Sequence, residues 1–213
     1  MRGIVFISMA IFMICSSSGL DNYDEFISGI CQSCENPSHL LTVAFTNNVI
    51  TYRASNTNLH VQCAADLALA ISLMHRMDRD EACCANDECF AHHQSLVSNI
   101  VYCVGLEEGA WVRYAAAAEY MAGLNYGNQE DAAFVLSTNM IERIMACPPN
   151  MGQTNYWNSM SVLMKNPQES LLSVFRLNAA VWLAEHNRLE EIVPLTNSLP
   201  ESAMAIFHDE LGF

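Results

Sequence analysis

Three cysteines and two histidines stand within the fourteen residues EACCANDECFAHHQ, from Glu81 to Gln94. Thiolates and imidazoles at this density can bind a soft metal, exchange disulfides or close a covalent staple. Zinc requires deprotonated thiolates that stay reduced. Cys89 with His92 and His93 also makes poor tetrahedral geometry, because neighbouring residues of a helix project in different directions. A second cluster, CQSC from Cys31 to Cys34, has thioredoxin-like spacing but no strand–helix context around it. No metal site and no cofactor is expected, and the staple is the preferred reading of the first cluster.

The remaining chemistry-bearing residues are dispersed. The histidines are His39, His60, His75, His92, His93, His186 and His208. None begins a His-Glu-x-x-His metal-and-base pattern: His75 precedes Arg76, His92 precedes His93 and His186 precedes Asn187. There is no Gly-x-Ser-x-Gly elbow and no P-loop. Paired acids such as Glu107–Glu108 and Glu190–Glu191 read as solvated helix faces. Trp111, Trp157 and Trp182 read as core anchors rather than a ligand cage. No catalytic residue is expected.

The compartment bears on the cysteines. MRGIVFISMAIFMICSSSG opens with Arg2, continues with an apolar run from Ile4 to Ile14 and ends in small residues. This pattern predicts a secretory signal over residues 1–19, cut after Ser18 or Gly19. The run is too short to span a bilayer. Removing it leaves eight of the nine basic residues against 23 acidic ones, a net charge of −15, with Lys165 the single lysine. Such a chain repels phosphate backbones and anionic membranes, so neither nucleic acid nor a membrane surface is an expected partner. Eight cysteines remain: Cys31, Cys34, Cys63, Cys83, Cys84, Cys89, Cys103 and Cys147. In an exported chain that even number reads as four disulfides. His208 to Leu211 spell a retention tetrapeptide, but Gly212 and Phe213 follow it, and such a signal is read at the free carboxyl end. Asn36-Pro37-Ser38 is blocked as a glycosylation site by its proline, and no other such site occurs.

The elements that position these residues are mostly amphipathic helices after Asn58. Ala64, Leu67, Ile71 and Met74 fall on one stripe. Leu96, Val97, Ile100, Val101 and Val104 form the next, with Gly105 as its stop. Trp111, Tyr114, Ala115, Ala118, Met121 and Ala122 form a third, ending at Gly123. Asn128 is the expected N-cap of a fourth helix, with Asp131 in its first turn and Pro148–Pro149 at its end. Tyr156 to Met164 suggest a short helix, and Asn166–Pro167 open a longer one carrying Leu171, Val174, Phe175, Asn178 and Trp182. Ser198 and Glu201 form a capping box for the last helix. Residues 20–57 read as an amino-terminal arm. Within it LTVAFTNNVITYR, residues 41–53, is β-branched and aromatic; a β-hairpin is favoured, with an irregular arm or a poor helix as alternatives. The expected class is all-α, with stacked helical hairpins forming an irregular solenoid over residues 58–213.

Helix order suggests pairings. Cys103 lies near the end of one helix and Cys147 at the end of the second helix after it, so antiparallel packing brings both to one side. A Cys103–Cys147 bridge is reasonable and contributes about 4 kcal/mol in the chain-entropy model. Cys83 or Cys84 pairs with Cys89 across the intervening turn, and the spare one takes Cys31, Cys34 or Cys63. The pairing of that last set stays open.

ACCANDEC, NIVYCVGLEEGAWVRYAAAAEYM and NMIERIMACPPN, in that order, resemble the C-terminal helical domain of the M1 zinc aminopeptidases. The matching elements are Cys83 (or Cys84) with Cys89, Val101-Tyr102-Cys103 with Gly109 and Trp111, and Arg143 with Ala146-Cys147. The resemblance covers residues 58–150; the extra cysteine at Cys83–Cys84 and a longer stretch between Cys103 and Cys147 depart from the pattern. The resemblance implies a HEAT-like helical stack. It also implies a domain that packs over a catalytic domain, shapes access to peptide or mediates dimerisation. Since the zinc motif and substrate motif are missing, the expectation is a secreted, non-catalytic domain. Its expected partner is a peptide or protein, whether a full-length aminopeptidase or a second copy. The competing readings are an unrelated secreted cysteine-rich helical effector or ligand carrier, and a fragment of a complete aminopeptidase.

Overall fold

The computed structural model describes residues 43–79, 87–149, 167–197 and 199–211. Of these, 81% are helical and none forms a strand, so the described chain is all-α. The helices are α1 (Val43–Ser55), α2 (Leu59–Arg79), α3 (Asp87–Val101), α4 (Trp111–Tyr126), α5 (Glu130–Ala146), α6 (Pro167–Glu185), α7 (Val193–Thr196) and α8 (Glu201–Leu211), with a 3-10 turn at Leu189–Glu191. Each packs on its neighbour in the chain, except that α6 carries both α7 and α8. Two further contacts cross the stack, α2 on α4 and α6 on α4.

Those crossing contacts make α4 the centre. Twelve of its residues are buried, including the run Val112 to Glu119. A helix apolar nearly all round must be surrounded, and Ala115 to Ala118 let its neighbours approach closely. Phe175 of α6 and Ile144 of α5 are fully buried in the same core. The expected stripe of α2 is also internal: Ala64, Leu67, Ile71 and Met74 are all 5% exposed or less.

The expected hairpin at residues 41–53 is not formed; from Val43 the chain is helix α1. Phe45 and Val49, four residues apart, are the buried residues of that helix and join the core shared with α2. Arg53 makes a two-toothed ion pair with Asp66 of α2. Tertiary packing of one helical face overrides the β preference of the sequence.

Four expected helix boundaries also move. α3 stops at Val101 rather than Gly105, leaving Val104 fully exposed. α4 runs through Gly123 to Tyr126, with Gly127 as its cap. Asn128 is not an N-cap: it has φ 54°, and the amides of Gly127, Asn128 and Gln129 turn back onto the carbonyls of Gly123, Asn125 and Leu124. Asn tolerates that left-handed geometry, so Asn128 ends α4, and α5 starts at Glu130 with Asp131 in its first turn. α8 begins at Glu201, so Glu201 holds the first helical position rather than the third. The expected helix at Tyr156–Met164, the CQSC cluster, Cys83–Cys84 and the amino-terminal signal lie outside the described residues.

Candidate functional site

The loop between α3 and α4, residues 102–110, is held by one buried cation. Arg113, 5% exposed in the first turn of α4, donates Nη1 to the Val101 carbonyl at 2.5 Å. Its Nη2 donates to Leu106 O at 2.7 Å, Cys103 O at 2.9 Å and Glu107 O at 3.5 Å. The carbonyls at the end of a helix lack partners and carry its negative pole. A planar guanidinium answers several of them at once. Backbone bonds Leu106 N to Cys103 O and Ala110 N to Glu107 O close the loop on itself.

A loop pinned from inside presents its outer side chains in fixed positions. Val104 is 100% exposed, Tyr102 64% and Leu59, at the start of α2, 37%. Gly105 allows this approach, because a Cβ there would stand 2.9 Å from Leu59 Cδ2. Glu107 and Glu108 are exposed beside them. Glu108 pairs with Arg143 Nη2 at 2.9 Å, and Tyr114 donates its hydroxyl to Cys147 O at 2.6 Å. The end of α5 therefore reaches the same pole as the loop. His60 packs against Trp111 with ring centroids 5.9 Å apart. Burial holds the His60 pKa below its ordinary value, partly opposed by Glu107.

Cys63, Cys89, Cys103 and Cys147 are thiols, and none is at bonding distance from another described cysteine. Cys147 does share the loop's pole, as helix order predicts. The thiol that Cys103 neighbours, however, is Cys63, whose ionisation it opposes. Cys63 is 5% exposed, and desolvation, reinforced by Cys103, pushes its pKa up to about 12. Cys89 packs elsewhere, beside Met74, Met77 and Ala122. Cys31, Cys34, Cys83 and Cys84 lie outside the described residues.

His92 and His93 separate as helix geometry requires. His92 is exposed, whereas His93 is fully buried with Nε2 3.3 Å from Glu119 Oε1 on α4. Gln94 Nε2 stands 3.2 Å from His93 Nδ1. An amide N–H donates there, which assigns the Nε2–H tautomer to a bond with Glu119. This pair joins α3 to α4 over Gly123, and neither residue carries a local sequence signal for it. Among the described residues no three His, Cys, Asp or Glu side chains gather as a metal site.

Trp182 is half-buried and stacked. Phe134 lies on one face at 4.0 Å between centroids and His186 at 3.8 Å. Arg188 reaches over the Trp182 ring at 5.6 Å, and the indole N–H donates to Asp131 at 3.0 Å. The rings fill each other's faces. Trp111 is partly buried against the main core, and Trp157 is outside the described residues. Glu190 and Glu191 are exposed as expected, with Glu191 paired to Arg188. No family model matches the chain, and no curated protein and no solved structure matches it either.

Proposed function

We propose that this chain is an exported, disulfide-stapled binding domain without catalytic activity, built of stacked helical hairpins, whose partner is a protein surface. The observation that carries the reading is the pole around residues 102–110. Apolar side chains at Tyr102 and Val104, on a loop that Arg113 holds from within, and at Leu59 beside it on α2 stand in water. Exposed apolar groups on a rigid loop lose little conformational freedom on binding, which favours recognition. The acids Glu107 and Glu108 at the rim, in a chain of net charge −14, suit a partner with basic residues around an apolar patch. The resemblance to the M1 C-terminal domain supports a full-length M1 aminopeptidase as the first partner to test.

The test uses titration calorimetry with a purified M1 aminopeptidase from the same source. Association that weakens about tenfold or more on Tyr102→Ser with Val104→Ser, and falls with salt, agrees with the reading. Binding unchanged by that pair assigns the interface elsewhere. Zinc-dependent hydrolysis of aminoacyl substrates by the pure chain overturns the non-catalytic assignment.

A further inference from the structure

The geometry points to Cys63 and Cys103 as a bond-forming pair that ties the start of α2 to the α3–α4 loop. Three observations converge on it. Cys103 packs against the cluster that contains Cys63, the loop and the start of α2 meet at Gly105 and Leu59, and Cys103 is near enough to Cys63 to oppose its ionisation. Cys63 sits one turn after Leu59 on α2, and Leu59 is the residue against which Gly105 is pressed. Cys103 is two residues before Gly105, with its amide on Ile100 O and its carbonyl on Arg113. A disulfide needs Cα atoms within about 7 Å and converging Cβ vectors. Neighbouring side chains on two segments that Gly105 and Leu59 already bring together are close to that arrangement.

The oxidant is an external disulfide, such as oxidised glutathione or the disulfide of a dithiol oxidoreductase. Cys103, the more exposed of the two, attacks as thiolate. The oxidant's S–S bond breaks, a mixed disulfide forms on Cys103, and one thiolate leaves and takes up a proton. Cys63 then gives its proton to solvent and attacks Cys103 Sγ, releasing the second thiol. Two cysteine thiols and one disulfide become one cystine and two thiols, and the protein loses two electrons and two protons. Burial makes Cys63 a poor thiolate, so it acts second, where its partner is held beside it. Oxidation in the native setting rests on the exported reading above; the pairing rests on the geometry alone.

The experiment is a redox titration of the full chain in glutathione buffers, quenched in acid, alkylated and mapped by mass spectrometry. Trypsin and chymotrypsin cut at Arg53 and Arg76 around Cys63, and at Tyr102 and Trp111 around Cys103. The expected result is a linked pair of these peptides that vanishes on reduction. Cys63→Ser should remove it and lower Tm of the oxidised protein by about 8–16 °C, from the entropy of the loop it closes. A Cys103–Cys147 link in its place, or Cys63 still open to alkylation once Cys103 is oxidised, overturns the pairing. Mapping the protein isolated from its own source separates the two ideas. Thiols there, with the bridge forming in the titration, sink the exported reading and leave the pairing standing.

Discussion

Replacing Arg113 by methionine keeps most of the side-chain volume and removes the guanidinium donors to the carbonyls of the α3–α4 loop. The two bonds to Val101 O and Leu106 O are buried, so water cannot readily take their place. Bonds from a charged group contribute about 1.5–3 kcal/mol each. Two of them set a loss of about 3–6 kcal/mol, and relief of the buried charge draws the result toward the lower figure. A loss of about 3 kcal/mol corresponds to roughly 6–12 °C in Tm for a chain of this size. Arg113→Lys keeps the charge but presents a point donor rather than a fork, so it falls between methionine and the parent. The assay is urea unfolding followed by far-ultraviolet circular dichroism, with reductant present so that no disulfide holds the loop. Hydrogen exchange across residues 102–110 should speed up in parallel. A methionine variant within about 0.5 kcal/mol of the parent, or a lysine variant equal to it, would refute the carbonyl clamp.

Gly123→Ala should destabilise by about 1–2 kcal/mol, read as a lower urea midpoint. The new Cβ stands 2.8 Å from Cε1 of His93, a fully buried ring, and this overpacking outweighs the roughly 1 kcal/mol that alanine gains in helix propensity; a stabilised variant would show that the ring can retreat. Stability should fall as pH drops through and below about 6.5. The folded state depresses the His60 pKa, so its contribution is present above the unfolded value and lost as pH falls through the folded one. His60→Phe keeps a ring beside Trp111 and should flatten that part of the urea-midpoint profile; an unchanged profile would place the titration elsewhere.

The stripe of α2 was legible because its period is local: Ala64, Leu67, Ile71 and Met74 announce one face whatever they meet. α1 was not, because Val43, Val49 and Ile50 carry a strand-like composition, and what decides the helix is the distant surface that receives Phe45 and Val49. Glycines misled in both directions. Gly105 marks a close approach to Leu59 beyond the end of α3, and Gly123 is an interior position where His93 and Gln94 need room. The end of α3 is set by Arg113, twelve residues after Val101, which no capping rule sees. The candidate site divides the same way. Helix order brought Cys147 and Cys103 to one pole. The approach of Cys103 to Cys63 depends on how deeply α2 seats against the loop, a tertiary distance with no period or motif to signal it.

The central position of α4 bears on how the chain comes apart. A row of helices touching only their chain neighbours unravels from its ends, one unit at a time. Here α2, α3, α5 and α6 each lose part of their buried face if α4 leaves. Partial opening of any one of them is therefore coupled to the others, and the described helices from α2 to α6 form one cooperative unit. Amides of Ala115 to Ala118 should exchange only through global unfolding, at the slowest rate in the molecule. The peripheral α7 and α8, which pack chiefly on α6, can detach while that unit stays closed.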